Sequence, residues 1–265
     1  MGSIWEGGMA QVTFDFSGTT TVVTGGASGI GLAIAETIVR SGGDVVISAS
    51  RNPSKTESAL DRLRAAGPRS RVLSLACEVG REESVADFFA EAGRSARDVR
   101  YVVHSAAISP NTEFFEQTQK EWDTVLNANL TGSFLVLKYA AMMMRDNPVV
   151  DEWKGRIVLV TSSNGVNAYD PVSAHYDASK AGANLLMRNA AQPLASMRIC
   201  VNALAPGWIQ TALNDTLPDD VRATESAKIW MGRWGTPQEM GQCVAHLLTL
   251  PYLVGQVLMP DGGYR

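Results

Sequence analysis

From about residue 18 to the end of the chain, short and nearly unbroken apolar runs alternate with longer stretches of helical periodicity. TTTVVT (19–24), DVVISAS (44–50), RVLSLA (71–76), VRYVVH (99–104), RIVLVTS (156–162), RICVNAL (198–204) and GQVLM (255–259) read as strands. Their apolar positions run together rather than alternate, as in strands covered on both faces. Helices are predicted over 29–41, 54–66, 81–96, 118–146, 174–196 and 237–249. Pro193, late in the fifth of these, is expected to kink or end it. The alternation predicts an α/β fold: a doubly wound, mostly seven-stranded parallel sheet with helices on both faces and right-handed crossovers. With no linker, repeat or low-complexity tract, the reading is a short loose arm over 1–17 and one domain over 18–265. A long irregular stretch, about 207–236, is expected to be a lid or binding loop.

Composition narrows the function classes. A net charge of −4 and a pI near 5.5 supply no basic patch for nucleic acid and no attraction to an anionic membrane. No apolar run approaches the ~20 residues of a membrane helix, and the opening MGSIWEGGMAQ lacks the parts of a signal peptide. The three cysteines and three histidines are scattered, with no metal-ligand spacing, so no metal site is expected. Unpaired cysteines fit a reducing cytoplasm.

Chemistry enters after the first strand, in TVVTGGASGIG. Gly25, Gly29 and Gly31, with Ser28 and Ile30 between them, allow a tight turn and close approach of an anion to a helix N-terminus. A plain strand-to-helix turn would need no more, but here the turn opens a doubly wound pattern, which points to a dinucleotide pyrophosphate. The end of the second strand decides which dinucleotide. It carries Ser50, Arg51, Asn52 and, further on, Lys55, with no carboxylate at that point to hold a ribose diol. A guanidinium pairs well with a 2′-phosphate, so NADP(H) is preferred over NAD(H). The alternative is that Arg51 is only a solvated loop charge.

In HYDASK, Tyr176 and Lys180 stand four residues apart and share a helix face. A free phenol titrates near pH 10, and a neighbouring ammonium favours its ionised form. His175 and Asp177 read as bystanders. TGGASGIG at 24–31, NANLTG at 127–132, VTSSNG at 160–165, YDASK at 176–180, VNALAPGWIQT at 201–211 and DGG at 261–263 then follow in order. This set, over about residues 18–263, resembles the single-domain short-chain dehydrogenase/reductases, in particular carbonyl and 3-oxoacyl reductases.

The resemblance implies a Rossmann-type fold and hydride transfer between a nicotinamide and a carbonyl or carbinol carbon. Tyr176 becomes the implied acid/base, while Lys180 tunes it and holds the nicotinamide ribose. A serine polarises the substrate oxygen. Counting back from Gly165 along the strand selects Ser162, whereas the family's spacing to the tyrosine selects Ser163; strand register favours Ser162. Asn129 matches a relay asparagine whose side chain holds a water, and Asn127 is offset from it. Pro206, Gly207, Ile209 and Thr211 match the segment at the carboxamide end of the cofactor. His104-Ser105-Ala106-Ala107 replaces the family's N-N-A-G, with Ala106 at the adenosine ribose and His104 as a structural group. Glu78 and Val79 frame the adenine. Ser163, Asn164, Val166, Tyr169, His175, Trp208 and the segment 212–232 are expected to line the substrate, with Trp230, Met231 and Trp234 making an apolar lid.

The resulting expectation is an NADP(H)-dependent reductase of an apolar ketone that assembles as a homodimer or homotetramer. The rivals are an NAD(H)-linked sugar-alcohol or hydroxysteroid dehydrogenase and a non-catalytic nucleotide-binding regulator.

Overall fold

A computed structural model describes residues 12–212, 214 and 217–265. Its first half runs β1 (Thr20–Thr24), α1 (Gly29–Arg40), β2 (Asp44–Ser48), α2 (Pro53–Ala66), β3 (Val72–Leu75), α3 (Glu82–Ser95) and β4 (Val99–His104). There follow α4 (Gln119–Leu126), α5 (Gly132–Met144), β5 (Gly155–Val160), α6 (Ala174–Ser196), β6 (Ile199–Leu204), α7 (Asp219–Ala227), α8 (Pro237–Thr249) and β7 (Val257–Leu258). All the predicted strands form, and they pair in parallel in the order β3-β2-β1-β4-β5-β6-β7.

The unbroken apolar runs are explained by cover on both sides. Every residue of β1, β5 and β6 is buried. Ile34, Ile38 and Leu63 from α1 and α2 and Val244 and Leu248 from α8 fill one face of the sheet. Phe88, Leu135, Met144 and Met187, from α3, α5 and α6, fill the other. The chain winds outward from β1 in one direction and from β4 in the other. The crevice beyond the carboxyl ends of these two neighbours is therefore where a ligand is expected.

Three expectations change in detail. The helix over 118–146 is interrupted: α4 and α5 are joined by a π-helical turn at Asn127–Thr131. Pro193 does not end α6, which continues to Ser196. The proline removes one hydrogen bond only a turn from the helix end, where little helix remains to be disturbed. The segment 207–236 is not a free loop, since it contains α7 and buries Ile229 and Trp234, so Trp234 belongs to the core rather than to a lid. Positions 213, 215 and 216 of that segment, like arm residues 1–11, lie outside the described residues.

The described end of the arm is anchored rather than loose. Phe16 is 1% exposed and meets Tyr101 edge-on at 5.3 Å. Phe14 meets the His246 ring edge-on at 4.9 Å. Phe16 is thus a core residue supplied from outside the sheet. Truncation of such a ring removes about 3–5 kcal/mol of stability. Phe16→Ala is expected to lower the unfolding free energy by that amount, read as a lower urea midpoint with the slope unchanged; an unchanged midpoint would mean that the arm is only resting there.

Candidate active site

The glycine turn lies at the mouth of the β1–β4 crevice. Gly25 has φ 71°, and a Cβ there would stand 2.7 Å from the Ala106 main-chain nitrogen. Gly31 is pressed equally closely against the Gly25 carbonyl, so neither position accepts a side chain. Gly25 N–H donates to Ser48 Oγ at 2.8 Å, tying the turn to β2. Ser28, the N-cap of α1, makes no side-chain capping bond among the described residues, and the first turn holds no acidic group. Free N–H groups at the start of a helix, with nothing negative beside them, suit an anion. The cradle therefore fits a dinucleotide pyrophosphate, with Ser28, Gly29 and Ile30 at its edge.

Thr211 completes the cradle from the other side. Its γ-methyl would lie 3.7 Å from a Cβ on Gly29. Pro206 accepts a hydrogen bond from Ser163 N–H at 2.9 Å, and Ile209 pairs with Gly235 in a single parallel bridge. Both bonds of that bridge use Trp208 O and Gln210 N–H, so the Ile209 main chain faces away from it. Ile209 O accepts from Asn214 Nδ2 at 2.9 Å.

The adenosine end departs from the sequence reading. Arg51 is 94% exposed on its side chain, and its guanidinium lies 3.6 Å from a Glu78 carboxylate oxygen. Arg81 meets the other Glu78 oxygen at 3.5 Å. A carboxylate is therefore present at this rim after all, delivered from the end of β3. Ser50 Oγ accepts from Asn52 N–H, and Asn52 caps α2. Val79 packs against Gly132 at the start of α5.

Around Tyr176 the groups converge. Ser162, the last residue before a 3₁₀ turn at Ser163–Gly165, lies beside the phenol, and its Oγ accepts from Asn164 N–H at 3.3 Å. Ser163 engages Pro206 O through its main-chain N–H. Lys180 is 4% exposed; its Nζ donates to Val160 O at 3.0 Å and stands 5.6 Å from the Tyr176 ring centre. Burial pushes the Tyr176 phenol up to about 12, with the nearby Ser162 hydroxyl acting against that rise. Burial pulls Lys180 down to about 8. The expected depression of the phenol by the ammonium is overridden, because desolvation disfavours both charges.

Asn129 is 1% exposed and sits within the π turn. Its Oδ1 accepts from Ile108 N–H, and its Nδ2 donates to Ile108 O, all at 2.9 Å, and to Ser179 Oγ at 3.1 Å. Both amide protons are thus committed, so the side chain clamps the Ile108 main chain to Ser179. Ser179 Oγ in turn donates to Tyr176 O at 2.6 Å, which links the clamp to the tyrosine's main chain. Asn127 faces Gly80, away from the site.

Residues passed over in the sequence prove to be supports. Asp177 Oδ1 accepts from Asn164 Nδ2 and its Oδ2 from Asp170 N–H, both at 2.8 Å, pinning the loop after β5 onto α6. An acidic residue in a first helical turn was the available signal. His175 is fully buried, and its Nδ1 accepts from Tyr176 N–H at 2.9 Å, so it is a support rather than a substrate-lining group. His104 Nδ1 bonds Thr24 Oγ1 at 2.7 Å, while its Nε2 is buried without a partner. Burial holds His104 near 3, neutral at any working pH. Tyr169, Val166, Trp230 and Met231 are exposed, whereas Trp208 is half-buried and stacked on Trp234 at 5.1 Å.

The Lys180 shift has a measurable consequence. Its folded value lies below the ordinary 10.5, so the unfolded chain binds more protons between about pH 8 and 10.5, and stability rises with pH there. Lys180→Met should flatten that rise and stabilise the cofactor-free protein at pH 7 by up to about 3 kcal/mol. Denaturant titrations at pH 7, 8.5 and 9.5 check it; parallel pH profiles for wild type and variant would refute the buried charge.

Comparison with known proteins agrees with this geometry. The family model described as enoyl-(acyl carrier protein) reductase matches residues 25–265. Carbonyl reductase family member 4 of Danio rerio is 33% identical over 244 residues, covering 92% of this chain and 97% of the relative. Cis-4-hydroxycyclohexanecarboxylate dehydrogenase of Sinomonas cyclohexanicum is 36% identical over 255 residues, covering 94% and 97%. The solved structure of a short-chain type dehydrogenase/reductase from Mycobacterium ulcerans superimposes with a TM-score of 0.87 at 26% identity, covering 94% of this chain and 90% of that one. The chain belongs to the short-chain dehydrogenase/reductase family and is an oxidoreductase.

Proposed function

We propose that this oxidoreductase uses NADP(H) to interconvert a ketone and a secondary alcohol, acting chiefly as a reductase of an apolar, medium-sized carbonyl compound. The observation that carries the reading is the gathering of the Ser162 hydroxyl and the buried Lys180 amine, 5.6 Å from the ring centre, around a Tyr176 phenol that burial pushes up to about 12. A protonated phenol beside a second hydroxyl is set to give a proton to a developing alkoxide, which is the acid's task in reduction. A bound dinucleotide supplies the hydride in that direction. Ser28, Gly29 and Ile30 hold its pyrophosphate, Pro206 to Thr211 its carboxamide end, and Lys180 its ribose. Ser162 orients the substrate oxygen. Phe114, Phe115, Val166, Tyr169, Trp230 and Met231 are exposed on the loops after β4, β5 and β6, all at the same edge of the sheet. Such an apolar rim supports an apolar substrate.

NADP(H) is supported by Arg51, which is exposed and held only loosely at 3.6 Å by Glu78. The same Glu78 favours the second reading, an NAD(H)-linked sugar-alcohol or hydroxysteroid dehydrogenase, because a carboxylate there can accept from a ribose diol. Titration of protein fluorescence with NADPH and NADH separates them. Arg51→Ala should weaken NADPH binding about tenfold and leave NADH unchanged; equal affinities unaffected by the variant would assign NAD(H).

A regulator without turnover would have no use for the proton-transfer pair. On a panel of ketones followed by NADPH absorbance, Tyr176→Phe should lose about 10³-fold in kcat. Ser162→Ala should lose far more than Ser163→Ala. A Tyr176→Phe enzyme with most of its turnover would remove Tyr176 from the chemistry. A homodimer or homotetramer is supported by Phe134 and Met142 on α5 and Leu185 on α6, which are exposed on the two central helices. Three free cysteines support a reducing, cytoplasmic setting.

A further inference from the structure

The lid helix α7 carries an acidic residue that neither the glycine cradle nor the proton-transfer group uses. Glu225 is half-buried, and one of its oxygens, Oε2, accepts from Tyr264 Oη at 2.7 Å and from Trp208 Nε1 at 3.2 Å. The other, Oε1, accepts from Lys228 Nζ at 2.6 Å. One carboxylate thereby joins three pieces of chain: the lid, the C-terminal tail, and the residue immediately before Ile209.

The remaining contacts between these pieces are mutually consistent. Trp208 O accepts from Gly235 N–H and its indole stacks on Trp234, so main chain and side chain of Trp208 are both held against the segment at 234–235. Arg222, from α7, lies over the Trp234 ring at 4.6 Å. The tail lies flat on the lid: Ile229 pairs with Tyr264, Met231 N–H donates to Gly262 O at 3.1 Å, and Arg265 N–H donates to Lys228 O at 3.1 Å. A Cβ on Gly263 would strike the Trp230 ring at 2.9 Å. The tail also touches the cofactor segment, because a Cβ on Gly207 would meet Asp261 at 2.9 Å.

We infer that Glu225 is a positioning residue for cofactor binding: through Trp208 and Tyr264 it locks lid, tail and the Pro206–Thr211 segment into one unit. The inference rests on the assignment of Pro206–Thr211 to the nicotinamide end of the cofactor. Hydrogen bonds to an ionised carboxylate in a partly dry setting are stronger than neutral ones, and removing the carboxylate leaves two enclosed donors unpaired. The Trp208 indole, next in the chain to Ile209, then loses the bond that ties it to α7 and the tail.

The test measures cofactor affinity by protein fluorescence, and steady-state turnover on a ketone, for Glu225→Ala, Glu225→Gln, Tyr264→Phe and Trp208→Phe. Glu225→Ala should raise the cofactor Kd about tenfold, while kcat at saturating cofactor falls less than about threefold. Glu225→Gln keeps an acceptor oxygen and should recover part of the affinity. Tyr264→Phe and Trp208→Phe should each weaken binding and should combine less than additively, since both donors share one oxygen. Unchanged cofactor affinity in a folded Glu225→Ala protein overturns the inference, as does a fall in kcat at unchanged affinity. If Glu225→Ala does not fold, Tyr264→Phe decides: it deletes a single hydroxyl, and unaltered affinity there is equally fatal. Tyr176→Phe is run alongside. Turnover surviving in that variant would defeat the assigned acid/base, while the Glu225 result, read from binding alone, would stand.

Discussion

The close approach of Gly25 to the main chain at Ser105–Ala106 is the constraint on which the site depends. β1 and β4 are neighbours from which the chain winds in opposite directions, so their following turns must pass each other without a side chain between them. A methyl group at Gly25 would stand 2.7 Å from the Ala106 nitrogen and would force the turns apart. With them would go the start of α1 and the strand segment leading to Ile108. Ile108 is the residue that Asn129 grips, and Asn129 is linked through Ser179 to the Tyr176 main chain. One hydrogen atom's width at the switch point thus propagates to the phenol.

Desolvation dominates the electrostatics of the site. Both Tyr176 and Lys180 are displaced toward their neutral forms, and neither shift is led by a partner charge. The fold accepts a buried lysine that donates to a strand-end carbonyl, Val160 O. A well-packed apolar residue would be more stable in that position. Stability given up in this way is a pattern expected of functional sites.

Much of this was legible in the chain because its signals are local. Continuous apolar runs reported strands buried on both faces, and the glycine spacing reported a turn at a helix start. The register of RIVLVTSSNG favoured Ser162 over Ser163, and Ser162 is the serine beside Tyr176. What escaped was set by partners distant in sequence. Asp177 gained a role only because its helix meets the loop at Asn164 and Asp170. Glu78 reached the Arg51 rim because β3 lies beside β2. The π turn left no compositional mark, since NANLT is as acceptable in an α-helix as in a wider one. The arm was expected to be loose, and Phe16 is held because β4 supplies Tyr101.

A π-helical turn amounts to one extra residue spliced into an α-helix. At Asn127–Thr131 that extra residue sets the angular phase between α4 and α5. Loss of any single residue there would let the helix close into a regular one and swing everything beyond it by about 100°. Asn129 would leave Ile108, or the apolar face of α5 would leave the sheet. Over this stretch the fold is sensitive to chain length as well as to the Asn129 side chain, so lineages of this protein should keep the residue count fixed.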